Sequence, residues 1–308
     1  MSRPAAMRFS IQVPDAPDAR TWLDKVRRAD DLGFSSVSVP DHLGPSLPQL
    51  APVAALAAAA AVTTNLRLAI TVLDNDFRHP VMLAKEAATL DLVSDGRLDL
   101  GLGAGWLEED YTKTGIATWD APEVRVGRLF ESMALLRELF TGEPVTFSGD
   151  HYTVTDFVSY PKPVQDPVPI MIGARGKRML THAARHAQIV SVLAAAVPGG
   201  SRLDGFEEQL AWVRDAGAGR DDLTVGIRIP FGVFAERGES TPAAAARVGE
   251  RMGMTADDVI ASPFVLAGDA EGIAEQLLAT RERYGVTYVT VSEDVGWHLG
   301  PVIDALGR

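Results

Sequence analysis

Asp41 and His42 follow a short β-branched run ending Val39-Pro40. A carboxylate beside an imidazole can accept a hydrogen bond from a ring N–H and donate a proton to a reacting atom, although the pair could equally do no more than cap the next segment. Residues 97–111, RLDLGLGAGWLEEDY, carry an apolar strand pattern into a glycine-rich turn, a tryptophan and then acid. Gly101, Gly103 and Gly105 lack Cβ, which lets backbone pass close to a bound planar ring; a ligand-free glycine corner would read alike. The turn is not a dinucleotide fingerprint, because Trp106 occupies the sixth position of G-x-G-x-x-G. Gly173-Ala174-Arg175-Gly176-Lys177-Arg178 joins a strand pattern to a helical one. Free N–H groups at a helix start, with three cations, suit a phosphate or carboxylate. The loop lacks the Walker spacing, and a merely solvated first turn is disfavoured because cations oppose the helix dipole there. Asp74-Asn75-Asp76-Phe77-Arg78-His79 precedes Pro80, a residue suited to a first helical position, and reads as a cap with ion pairs among Asp74, Asp76 and Arg78.

These groups need a frame that brings strand ends together. Apolar β-branched runs at 9–13, 36–39, 67–73, 98–102, 170–172, 189–192, 224–230 and 288–292 alternate with amphipathic stretches at 19–32, 82–93, 125–139, 178–186, 206–216 and 272–284. Eight such units predict an α/β fold, a (β/α)8 TIM barrel whose reactive groups lie at the C-terminal strand ends; a doubly wound sheet is the alternative. The whole chain, 1–308, reads as one domain with an inserted hairpin near 145–155 and a helical insertion near 238–263, both expected to shape a pocket.

Composition narrows the function. A net charge of −12 without a basic stripe argues against nucleic acid. No cysteine is present, which excludes thiolate catalysis, disulfides and cysteine-ligated metal. No metal is expected: H-E-x-x-H and a His-x-His strand are missing, and His182 and His186, though four apart, have no carboxylate nearby. A serine hydrolase elbow is absent too. The N-terminus shows no signal-peptide pattern, and the alanine-rich block at 52–62 is too short for a bilayer, so a cytoplasmic protein away from membranes is expected.

The order of Val39-Pro40-Asp41-His42, Arg78-His79-Pro80 with Leu83-Ala84-Lys85-Glu86, Ser94-Asp95-Gly96-Arg97, Gly101-Leu102-Gly103-Ala104-Gly105-Trp106 and Ile172-Gly173-Ala174-Arg175-Gly176 resembles the luciferase-like flavin and deazaflavin oxidoreductases over nearly the whole chain. Within that family the Asp-His pair and the Leu-Gly-Ala-Gly-Trp turn look most like the branch that uses coenzyme F420. The resemblance implies hydride transfer at the deazaflavin C5 to a small-molecule or peptide-derived substrate, in a homodimer. FMN-dependent oxygenation is the alternative, and a non-catalytic flavin-binding protein is another. It implies His42 as proton donor, Asp41 as partner of the ring or of His42, and Glu109 behind them. Cofactor contacts would come from Asp41, Leu73, Asp74, Gly103, Ala104, Trp106 and Tyr111, and from Gly173, Ala174, Arg175, Gly176, Lys177 and Arg178. Ser46, Phe77 and Trp106 would wall the substrate pocket, and a non-prolyl cis peptide would fall near Leu73-Asp74. Sugar-phosphate dehydrogenases of this branch carry a tryptophan and a glutamate where this chain has Ser46 and Ala104, which argues against glucose 6-phosphate.

Overall fold

The computed structural model describes residues 6–194, 201–236 and 238–307; residues 1–5, part of the stretch read for a leader, lie outside it. Eight strands, β1 (Arg8–Gln12), β2 (Ser36–Val39), β3 (Arg67–Ile70), β4 (Leu98–Gly103), β5 (Ile170–Ala174), β6 (Ile189–Val192), β7 (Thr224–Ile229) and β8 (Val286–Ser292), are all parallel. Their order is β3-β2-β1-β8-β7-β6-β5-β4, and β3 pairs back onto β4 through Leu68↔Leu98 and Ala69↔Asp99. The sheet therefore closes as a (β/α)8 barrel, whereas a doubly wound sheet would leave two open edges.

Period-2 alternation sorts each strand. Ile11, Val37, Leu68, Leu100, Val190, Ile227 and Val289 are fully buried and belong to the large apolar cluster that the strands share with the helices. In helix Ala19–Asp31, Trp22, Val26 and Ala29 are buried on one face, and Asp18 caps its start by accepting from the Thr21 N–H. The alternate strand residues face the barrel axis, where near the N-terminal strand ends a polar group lies beside a small apolar cluster of Met171, Ile189 and Tyr288. Arg67 donates twice to Asp99 at 2.7 and 3.1 Å, Arg8 lies 4.0 Å from the same carboxylate and 4.8 Å above the Tyr288 ring, and the Tyr288 hydroxyl meets Ser36 Oγ at 3.1 Å. Burial pushes the Tyr288 hydroxyl up to about 12, so it stays protonated and can donate.

The third strand departs from the predicted 67–73 run. It pairs with β4 up to Ala69, and pairing resumes at Leu73↔Leu102 and Asp74↔Gly103, four steps along one side against three on the other. The extra residue is a bulge. The non-prolyl cis peptide lies within it at Thr71-Val72 rather than at the expected Leu73-Asp74, and the bulge sends Val72 toward the glycines of β4 and β5.

Two small sheets flank the barrel. Val145–Ser148 and Thr153–Phe157 form an antiparallel hairpin, pinned where Glu131 accepts from the N–H groups of Asp150, His151 and Tyr152. Phe231–Phe234 pairs in parallel with Val265–Gly268, and helices Thr241–Met252 and Ala256–Ala261 lie between them in sequence. No helix among the described residues is long and apolar enough to cross a membrane.

Closure rests on Gly101, where an added Cβ would lie 1.9 Å from the Ile70 carbonyl oxygen, a backbone atom that cannot step aside. Gly101→Ala should lower stability by ~2–3 kcal/mol or more in urea unfolding; an unchanged midpoint would show that the barrel seam is loose.

Candidate active site

The C-terminal strand ends carry the polar residues singled out in sequence, but with different partners. His42 does not pair with Asp41. Its Nδ1 lies 2.7 Å from Asp110 Oδ2, and Asp110 Oδ1 accepts from the Leu43 N–H at 3.1 Å. Asp110 is 2% exposed and, as a carboxylate, only accepts, so Nδ1 carries the proton and Nε2 has no protein partner among the described residues. The backbone N–H of His42 donates to Gln49 Oε1, and the Trp106 ring stands edge-on 5.2 Å away, itself 68% exposed. Glu109, the neighbour favoured from sequence, is engaged by Lys113 instead.

Asp41 is taken by Arg78, at 2.6 Å for the shorter contact, and also accepts from the Asp74 N–H at 3.3 Å. Arg78 therefore pairs with Asp41 and Glu86, not with Asp74 or Asp76 as expected. Asp76 pairs with Arg128, which also holds Asp120. Tyr111, expected at the cofactor, is only 1% exposed and spends its hydroxyl on Asp74 at 2.7 and 2.8 Å. Its ring packs against Phe77 and Trp119. Burial and the neighbouring carboxylate raise the Tyr111 pKa, so the hydroxyl remains a donor. Gly105, at φ +73°, makes this possible: a Cβ there would sit 2.1 Å from the tyrosine oxygen and 2.6 Å from Asp74 Oδ2.

The floor of the mouth is short of side chains. Cβ atoms added at Gly101, Gly103 and Gly173 would meet the Val72 side chain at 3.0, 2.8 and 3.5 Å, so one valine stands among three bare backbone positions. Leu73, by contrast, is fully buried and offers a cofactor no side-chain surface. Gln12 reaches across from β1 to donate to the Thr71 carbonyl and hydroxyl at 3.3 and 3.1 Å, and Arg228 of β7 donates to Gln12 Oε1 at 3.0 Å. The hairpin joins this rim where Asn75 Nδ2 donates to the Tyr152 hydroxyl at 3.2 Å.

At the end of β5, Gly176 is the N-cap of helix Lys177–His186 and supplies no side-chain cap, which leaves the first N–H groups open. Arg175, Lys177 and Arg178 are exposed and have no carboxylate partner among the described residues. Gln209 donates to the Arg175 carbonyl at 2.7 Å and fixes the turn, while Ala174 is buried beneath it. Ala104 accepts from Arg125 through its carbonyl, and Ser46 lies exposed on the loop after His42. Sequence reasoning missed Gln12, Val72, Asp110 and Arg228, and it gave Arg78 other partners. For Arg228 a signal existed, since Thr-Val-Gly-Ile-Arg-Ile alternates and places the arginine on the face opposite Ile227 and Ile229.

Burial raises the Asp74 carboxyl to about 6, with Asp76 and Asp41 adding to the rise and the Tyr111 and Asp76 hydrogen bonds opposing it. A raised carboxyl binds its proton more tightly in the folded than in the unfolded protein. Its stabilisation is thus full below the ordinary value of 3.8 and is lost as pH climbs through about 6. Asp74→Asn should gain stability relative to the parent across that window, by at most ~3 kcal/mol in urea unfolding; a pH-independent difference would show an ordinary carboxylate.

The chain is 36% identical over 172 residues to an F420-dependent glucose-6-phosphate dehydrogenase of Intrasporangium calvum (54% of this chain, 51% of the relative). It is 37% identical over 171 residues to that of Amycolatopsis mediterranei (54% and 51%), so it spans about half the length of these curated relatives. The fold matches the coenzyme F420-dependent tetrahydromethanopterin reductase of Methanopyrus kandleri with TM-score 0.75 at 22% identity, covering 99% of this chain and 98% of that one. It also matches an F420-dependent secondary alcohol dehydrogenase solved with an F420-acetone adduct, with TM-score 0.74 at 21% identity (99% and 100%). The luciferase-like monooxygenase profile matches residues 5–288, and the chain belongs to that family.

Proposed function

We propose that this chain is an oxidoreductase that uses coenzyme F420 to transfer hydride to a small organic substrate, reducing an activated C=C or C=N bond such as that of an enone, imine or dehydroamino acid. The observation that carries the reading is the pairing, at one barrel mouth, of a glycine-lined floor with an imidazole held by a buried carboxylate. The relatives named for F420 support the choice of cofactor.

The residues present fit such a group. Val72, framed by Gly101, Gly103 and Gly173, offers a flat apolar seat for a fused ring. The open helix start at Lys177, with Arg175 and Arg178, offers donors and positive charge for a phosphate. When bound, F420 would supply the hydride chemistry at its C5. His42 supplies the proton: Asp110 holds the ring through Nδ1 and leaves Nε2 as the exchangeable site. Trp106 and Phe77 wall the approach. Ser46 and Ala104 depart from the sugar-phosphate pattern, so glucose 6-phosphate is not the substrate assigned.

A second copy is the expected partner. Met82 and Val93 are more than half exposed beside Val53, Ala57 and Leu90 in a groove between helices Pro52–Ala60 and Pro80–Val93. Sedimentation velocity should give a homodimer; a monomer at micromolar concentration would overturn this.

Titration with reduced F420 and separately with FMN, followed by tryptophan quenching, should show salt-sensitive binding of F420 alone. Preference for FMN, with oxygen consumption, would replace the reading by oxygenation. His42→Ala should reduce turnover by ~10²-fold or more and leave F420 affinity nearly unchanged. Asp110→Asn should also slow turnover and shift its pH profile, because an amide that donates to Nδ1 reverses the imidazole tautomer.

A further inference from the structure

Three arginines lie within the barrel strands: Arg8 in β1, Arg67 in β3 and Arg228 in β7. Arg8 and Arg67 share Asp99 near the N-terminal strand ends. Arg228 stands two residues beyond Gly226 on the inward face of β7, with Ile227 and Ile229 buried on the outward face. It has no carboxylate within ion-pair distance among the described residues, although the chain carries 41 acidic residues against 29 Lys and Arg. Its one hydrogen bond goes from Nη2 to the neutral Gln12 Oε1. That leaves Nε and Nη1 unspent, in a side chain that is open to the mouth.

The acids near the rim are engaged elsewhere. Asp41 is held by Arg78, Asp74 by Tyr111, Asp76 by Arg128 and Asp110 by His42. Lost hydration pulls the Arg228 guanidinium down, and no nearby acid raises it back, unlike Arg67 and Arg128. A cation open to the mouth and without a counter-charge favours an incoming oxyanion. The strand order places β7 opposite β3, across the barrel from the Val72 seat. The Gln12 side chain bridges the two sides, bonded to Arg228 at one end and Thr71 at the other.

We propose that Arg228 recognises the substrate, and that the substrate carries a carboxylate or phosphate which its guanidinium grips while the reducible bond lies over the floor. The assignment of that anion to substrate, not cofactor, rests on the cofactor reading above. Gln12 is a positioning residue: it aims the guanidinium and ties it to the bulge that seats the ring.

Calorimetry on the F420-loaded protein tests this, with benzoate, benzamide and inorganic phosphate as probes. Benzoate should bind at least about tenfold more tightly than its neutral isostere, Arg228→Gln should abolish that preference, and Arg228→Lys should keep part of it. F420 affinity should stay within about twofold in both variants, and their melting temperatures report folding. Phosphate distinguishes the oxyanions: only binding lost in Arg228→Gln counts, because the turn at Gly176 also suits phosphate. Equal benzoate binding in Arg228→Gln, or no discrimination against benzamide by the parent, would overturn the proposal. So would a tenfold loss of F420 affinity with anion discrimination intact, which would give the cation to the cofactor. If the protein binds no F420, the cofactor reading fails, and the same probes on the unloaded protein still decide whether Arg228 selects oxyanions.

Discussion

The site depends on how closely β3 can approach β4. At Gly101 the Ile70 carbonyl occupies the space where any other residue would place its Cβ, so the seam closes only with glycine. One extra residue on the β3 side then has to be accommodated, and the bulge at Ile70–Val72 does so. Its position decides the rest: Val72 turns toward the bare backbone of β4 and β5, and Asp74 comes under Tyr111 and beside Asp41. Barrel closure and the shape of the mouth are thus one geometric solution.

Charge is organised with the same economy. The chain is strongly acidic, yet its rim acids are individually matched, Asp41 to Arg78 and Asp76 to Arg128, so the mouth does not present a uniform negative field. Pairs of this kind gain modestly in net energy because desolvation opposes the attraction, but breaking one leaves an uncompensated charge. Their main effect is to fix positions. Among the cations without an acid in ion-pair contact, Arg175, Lys177 and Arg178 at one helix start and Arg228 inside the mouth are placed where anionic groups of ligands can reach them.

The barrel and its eight strands were legible because short apolar β-branched runs recur between amphipathic stretches, a rhythm visible in one dimension. Candidate groups at strand ends were legible for the same reason. Partners were not. His42 lies next to Asp41 in sequence but bonds Asp110, 68 positions away, because the chain turns after Pro40 and presents the two side chains to different neighbours. Glu109 and Asp110 differ by one residue, which on a helical turn is a rotation of ~100°, and it is Asp110 that faces His42. The cis bond was misplaced by two residues because a bulge has no compositional mark of its own. The buried role of Tyr111 comes from packing against Phe77, 34 residues away, and against Trp119 on the loop that follows, contacts that no local pattern marks.

The five-residue helix Glu108–Thr112 carries Asp110 to His42 and Tyr111 to Asp74 on successive residues. A helix this short has almost no stability of its own, so it is held by these bonds together with the Leu43 N–H on Asp110 and the packing of Tyr111 on Phe77 and Trp119. Because Asp110 and Tyr111 are neighbours on this one turn, the imidazole on the proton side and the buried carboxyl on the ring side share a single support, with no barrel strand between them.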